Sequence, residues 1–169
     1  MKKITLFVFL MLLSVSSVFS QEITEGREFW FGLPYCKKIN AENPRGMYPV
    51  YLWLSSKYDT KATIKINATE FEHTFEIKSN KVTEVGIDDA VMCTVSEVTE
   101  DNGIHIKAES PISVSVYYCY SWSGEAFRAI PIDWLGKNYV SVNLYEDKGT
   151  ELKPPQILIF AAEGLTKRS

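Results

Sequence analysis

Glu125 and Asp133 are the carboxylates whose placement most invites chemistry. Paired carboxylates perform glycoside hydrolysis, one protonating the leaving oxygen while the other attacks or activates water. A structural reading of both is stronger. Asp133 precedes Trp134-Leu135-Gly136 and suits a turn whose side chain bonds nearby backbone N–H groups. Glu125 follows Gly124 at a strand end, where it could hold Arg128 or a loop. Cys119 with His105 could make a nucleophile–base pair, but no orienting third group or known signature accompanies them. Ser121-Trp122-Ser123-Gly124 lacks the leading glycine and the strand–helix setting of a nucleophile elbow. There is no H-E-x-x-H and no phosphate loop. Cys36, Cys93 and Cys119 lie 57 and 26 positions apart and match no zinc spacing. The expectation is a protein that is not an enzyme, with no catalytic residue, no metal and no cofactor.

The aromatic residues offer a different chemistry. Tyr117, Tyr118, Tyr120, Trp122, Phe127 and Trp134 crowd into one stretch, and Tyr51 and Trp53 stand on a second apolar face of their own strand. Exposed Tyr and Trp give rigid, amphipathic contact area for protein partners or stacked sugars. The competing reading is that large aromatics fill a β core. Tyr51, Trp53, Tyr117 and Trp122 are the candidate ligand-binding residues on this reasoning, with Tyr117 directed outward and Tyr118, Tyr120 and Trp122 inward.

The elements that carry these residues are strands. Val50 to Ser55 is apolar on both faces, so it is central or covered. Ala62, Ile64 and Ile66 alternate with Lys61, Thr63 and Lys65. Phe71, His73, Phe75 and Ile77 alternate with Glu72, Thr74 and Glu76. The two segments read as a hairpin across Asn67-Ala68-Thr69, with Lys61 and Lys65 set against Glu72 and Glu76. Asn80 begins a further strand, in which the alternation slips at Glu84 and suggests a bulge. Val91, Cys93 and Val95 share a face. Ile104, Ile106 and Ala108 are followed by a tight turn at Glu109-Ser110-Pro111. The alternation then runs cleanly from Ile112 to Trp122. Short strands with turn signals every 8–12 residues and no helical pattern predict an all-β, antiparallel β-sandwich.

The first twenty residues stand apart. Lys2 and Lys3 precede the apolar run Ile4 to Leu13, and Val18-Phe19-Ser20 ends on a small residue, the build of a cleaved signal peptide. The run is too short for a spanning helix, which needs about 20 residues. The expected organisation is a signal peptide over 1–20 and one β domain over 21–169, secreted or held at the cell surface. The whole chain has 18 basic and 21 acidic residues. Without the two lysines of 1–20 the net charge is 16 − 21 = −5, which offers no basic face for nucleic acid. Export makes one disulfide possible among the three cysteines, although buried free thiols fit equally well. Asn67-Ala68-Thr69 is formally a glycosylation sequon.

Three motifs then carry a resemblance. They are Gly-Arg-Glu-Phe-Trp-Phe-Gly at 26–32, Asp-Asn-Gly-Ile-His-Ile-Lys-Ala-Glu-Ser-Pro-Ile-Ser-Val at 101–114, and Glu-Ala-Phe-Arg-Ala-Ile-Pro-Ile-Asp-Trp-Leu-Gly at 125–136 followed by Tyr139-Val140. In this order and spacing the chain resembles the N-terminal domain of IgGFc-binding proteins, in its bacterial secreted or surface form, over about Gly26 to Glu163. The resemblance implies extracellular binding or adhesion to a protein or glycoprotein by a β-rich module, without catalysis. A carbohydrate-binding module with an aromatic platform is the alternative. Ile157 to Ala162 also echoes Tyr51 to Ser56, as if a second copy of the unit began there. That echo predicts a C-terminally incomplete repeat, whose open edge strand needs a partner strand or a downstream module.

Overall fold

The computed structural model describes residues 24–34, 50–95, 97–120, 123–140 and 158–160. The proposed signal peptide, Cys36 and Trp122 lie outside the described residues, as do the Cys119 and Tyr120 side chains. The all-β expectation holds. The described residues contain nine strands, and three single 3-10 turns are their helical content.

The architecture follows from one strand, Ile104–Tyr120, which is the eighth in chain order and is called β8. On one of its edges run β3 (Val50–Ser55) and β4 (Thr60–Ile66), end to end and both antiparallel to it. Ser55 faces Ser113, and Ala62 faces Ala108. On its other edge run β1 (Glu25–Phe31), with Phe31 facing Ile104, and β9 (Ser123–Arg128), with Arg128 facing Ser115. β5 (Phe71–Ile77) pairs with β4, and β6 (Val82–Ile87) with β3. The result is one curled seven-stranded antiparallel sheet with two halves. β1, β4 and β5 flank the start of β8; β3, β6 and β9 flank its end. The 3-10 turns Asn67–Thr69 and Asp89–Val91 touch, so the far ends of the halves meet.

The halves meet at a corner where two rows of strand break, at 56–59 and 78–81, beside residues 109–112 of β8. A tight turn at Glu109-Ser110-Pro111 does not form. β8 continues through it, because the N–H that Pro111 lacks falls where no ladder partner is needed. Hydroxyls replace the ladder there. Ser56 Oγ donates to the Pro111 carbonyl at 2.9 Å, and the Ser110 N–H donates to Thr60 Oγ1 at 3.0 Å. Ser56 and Thr60 are the buried polar residues of the described chain. Asn80, in the left-handed region at φ 56°, donates its N–H to the Ser56 carbonyl.

The inward side chains of β8 keep one parity throughout: Ile104, Ile106, Ala108, Ile112, Val114, Val116 and Tyr118 are all buried. Phe29, Leu52, Leu54, Ile64 and Ile66 join them in a single core that spans both halves. Complete burial of side chains this size contributes about 1.5–3 kcal/mol each. The remaining pairing departs from the antiparallel expectation. β2 (Leu33–Pro34) and β7 (Met92–Cys93) run parallel, and Leu33 and Met92 are buried on the core.

Several local expectations are corrected. β6 pairs with β3 in unbroken register, so there is no bulge at Glu84. Val82 faces outward on the same side as Glu84 and stays exposed, which is why the apolar pattern slipped. The register irregularity sits instead in β1 between Gly26 and Glu28. There Gly26 lies against buried Pro131, whose ring a Cβ would overlap. Val91, Cys93 and Val95 do not share a buried face. Val91 ends a 3-10 turn, Cys93 is half-buried and Val95 is exposed.

Candidate functional site

The pleat of β3 decides where its aromatic residues point. Val50, Leu52 and Leu54 enter the core, so Tyr51 and Trp53 take the opposite face of the sheet. Tyr117 on β8 faces the same way. It stands directly across from Tyr51 and diagonal to Trp53, whose direct partner is Ser115. Diagonal neighbours on one face remain within reach of aromatic side chains. The Trp53 and Tyr117 rings are 5.8 Å apart between centroids and only 3° from parallel. Glu84, across from Trp53 on β6, accepts the indole N–H at 2.8 Å. That bond fixes the indole, which remains 38% exposed. Gly86 faces Tyr51 from β6 and adds no side chain over the ring. Three of the four residues expected to bind ligand, Tyr51, Trp53 and Tyr117, thus form one outward patch. Trp122, the fourth, lies outside the described residues. Tyr118 points into the core as expected.

The residues considered for catalysis do not assemble. His105 and Cys119 belong to opposite ends of β8, fourteen positions apart on one strand that rises about 3.3 Å per residue. His105 is occupied elsewhere, bonded through Nε2 to Glu28 Oε1 at 2.9 Å and stacked on Trp30. Glu125 does not hold Arg128. Its carboxylate accepts the phenolic O–H of buried Tyr118 at 2.5 Å, while Arg128 Nη1 donates to Thr24 Oγ1 at 3.2 Å. The Asp133 turn is a 3-10 turn over Ile132–Trp134, closed by backbone bonds from Trp134 to Pro131 and from Leu135 to Ile132, with Asp133 exposed. Among the described residues no cluster of His, Cys, Asp and Glu could hold a metal.

Cys93 is a free, half-buried thiol. Burial pushes its pKa up, and the nearby Glu100 carboxylate pushes it further. Such a thiol is a poor nucleophile at neutral pH.

A second outward surface was missed in the sequence. On the other half of the sheet, Trp30 of β1 faces His105 of β8 across the ladder, and their rings stack at 4.0 Å and 12°. They border an open cavity of about 620 Å³ whose lining includes Lys65, Lys107 and Glu72. The alternation of β1 and β8 contained the signal, since it puts Trp30 and His105 on one face once the two strands are paired. The pairing itself joins segments over seventy positions apart and is not written in either.

No helix among the described residues is long and apolar enough to cross a membrane. Comparison with protein-family models, curated proteins and solved structures finds no significant match.

Proposed function

We propose that the chain is an exported, non-enzymatic binding or adhesion module that engages an extracellular protein or glycoprotein through the outer face of β3 and β8. The observation that carries this reading is the pairing of Trp53 and Tyr117 as near-parallel rings on an exposed sheet face, with the indole held by Glu84. Rings already fixed lose little entropy on binding, and Trp and Tyr are the residue types that dominate binding hot spots. The resemblance of the three sequence motifs to the IgGFc-binding N-terminal domain, and the signal-peptide build of residues 1–20, support the extracellular setting.

A second reading, recognition of a carbohydrate, is favoured by the polar surroundings of the same rings. Ser115 and Glu84 lie directly across from Trp53 on its two neighbouring strands. A sugar needs an aromatic face with hydrogen-bonding groups at its margin.

One experiment separates the two. The chain and its Trp53→Ala and Tyr117→Ala variants are tested against extracellular glycoproteins before and after enzymatic deglycosylation, and against a glycan array. Binding that survives deglycosylation and is lost in both variants supports a protein partner. Binding that follows the glycan supports the sugar reading. Binding that neither substitution weakens removes this face as the site.

A further inference from the structure

The last pair of the β1–β8 ladder is Phe31 with Ile104. One residue beyond that pair on each strand come Gly32 and Gly103, at the sequence parity of Trp30 and His105. Two positions without side chains stand there, at the end of the ladder. The gap is a notch with Trp30 as one wall. Phe160 fills it. Its ring lies 6.0 Å from the Trp30 ring at 24°, and a Cβ on Gly103 would come within 2.4 Å of two of its carbons. A Cβ on Gly32 would stand 3.0 Å from Leu158 and 3.3 Å from Phe160. Both glycines therefore make room for one aromatic ring and its neighbour.

The way this segment is held is also informative. Residues 158–160 form no strand, and among the described residues no backbone hydrogen bond joins them to β1 or β8. Ile159 is 87% exposed. Side-chain packing of Leu158 and Phe160 is what seats the segment, as in the docking of a peptide by its anchor residues. Seventeen positions separate Val140 from Leu158.

We propose that the Gly32–Gly103–Trp30 notch is a docking site for a single aromatic side chain carried on an apolar, extended peptide, occupied in this chain by its own Phe160. The site is separate from the Trp53–Tyr117 face and does not depend on the function proposed for it. Removing the resident ring opens the notch to a peptide supplied in trans. Adding a side chain at Gly103 closes it to both.

The test uses the full chain and a fluorescently labelled peptide spanning 156–163, with anisotropy as the readout. The Phe160→Ala chain is expected to capture the peptide about tenfold or more tightly than the unaltered chain, whose notch is filled from within. A Phe160→Leu chain, with a smaller apolar plug, is expected to fall between them. It also supplies the comparison if Phe160→Ala does not fold by circular dichroism. The Gly103→Val/Phe160→Ala chain is expected to lose capture, as is a peptide with Phe160→Ala. Equal binding to the unaltered, Leu and Ala chains overturns the proposal. So does capture that survives Gly103→Val or loss of the peptide's phenylalanine, or no capture by any folded Phe160 variant.

Discussion

Ser56 and Pro111, fifty-five positions apart, are joined by a hydrogen bond of 2.9 Å from the serine hydroxyl to the proline carbonyl. The same hydroxyl oxygen accepts the Tyr58 N–H at 3.1 Å, so one buried side chain ties the β3–β4 corner to the middle of β8. Ser56→Ala leaves the Pro111 carbonyl and the Tyr58 N–H without this partner. The expected loss is about 1–3 kcal/mol of stability. Ser56→Thr keeps the hydroxyl and is expected to recover part of it. Urea denaturation of the three chains measures the order, and a Ser56→Ala chain as stable as its parent would show that water replaces the bond without cost.

The two halves of the sheet share one core, so they are expected to unfold together. Leu52 is buried between Val116 and Val85, and Ile106 between Ile64 and Phe29. Leu52→Ala and Ile106→Ala are each expected to cost about 2–5 kcal/mol, the range for emptying a packed site of that size. Both should shift the same single transition, whether followed by tryptophan fluorescence or by far-ultraviolet circular dichroism. Separate transitions for the two variants would mean that each half folds on its own.

Asp59 holds the corner from outside. Its Oδ1 accepts the Ser79 N–H at 2.7 Å, and Lys78 Nζ stands 3.5 Å from Oδ2. That backbone bond first, and the lysine charge second, lower its pKa below the ordinary value of 3.8. A carboxylate with a depressed folded-state pKa adds stability above its unfolded pKa, and that contribution is lost as pH falls through the folded value. Asp59→Asn is therefore expected to melt below its parent at pH 6. The gap should narrow below pH 3.8 and close as the carboxyl protonates. Melting curves at pH 6, 4 and 2.5 test the sign, and a gap that widens on acidification would contradict it. Because the group is exposed, the effect is small and screened by salt.

Cys93 is expected to alkylate slowly. Burial and the Glu100 carboxylate both disfavour its thiolate, so iodoacetamide at pH 7.5 should modify it more slowly than a free cysteine peptide. Glu100→Gln removes the charge and should speed the reaction at that site. Site-resolved mass spectrometry distinguishes Cys93 from the other two cysteines. A reaction faster than the peptide would place the thiol in a more exposed, electropositive setting than its neighbours provide.

Local patterning carried much of this fold. Lys61 faces Glu76 and Lys65 faces Glu72, as the two alternations require, because a hairpin with a short link leaves little choice of register. The local pattern does not fix the orientation of Tyr51 and Trp53, since both faces of β3 are apolar. The structure resolves it through Leu52 and Leu54, which meet Val116 and Val114 in the core. Pro111 was misleading. In isolation it signals a turn, but the strand passes through it because Ser56 and Thr60 supply the bonds that the ladder omits. Those partners are fifty or more positions away, as is the Gly32–Gly103 notch across two strands. Contacts of that separation are set by how strands assemble, and no window of sequence contains them.

The position of β8 also bears on when the fold can form. Strands β1, β3 and β4 all take their final register from residues 104–118, which are made after them. Until that segment emerges, hairpins such as β4–β5 can close locally, but the apolar faces of Phe29, Leu52 and Ile64 have nothing to cover them. The molecule is thus built to assemble late and by long-range closure, a topology that folds slowly. On the extracellular reading proposed above, the delay would be an advantage. A polypeptide that stays open until residues 104–118 are made can still be threaded.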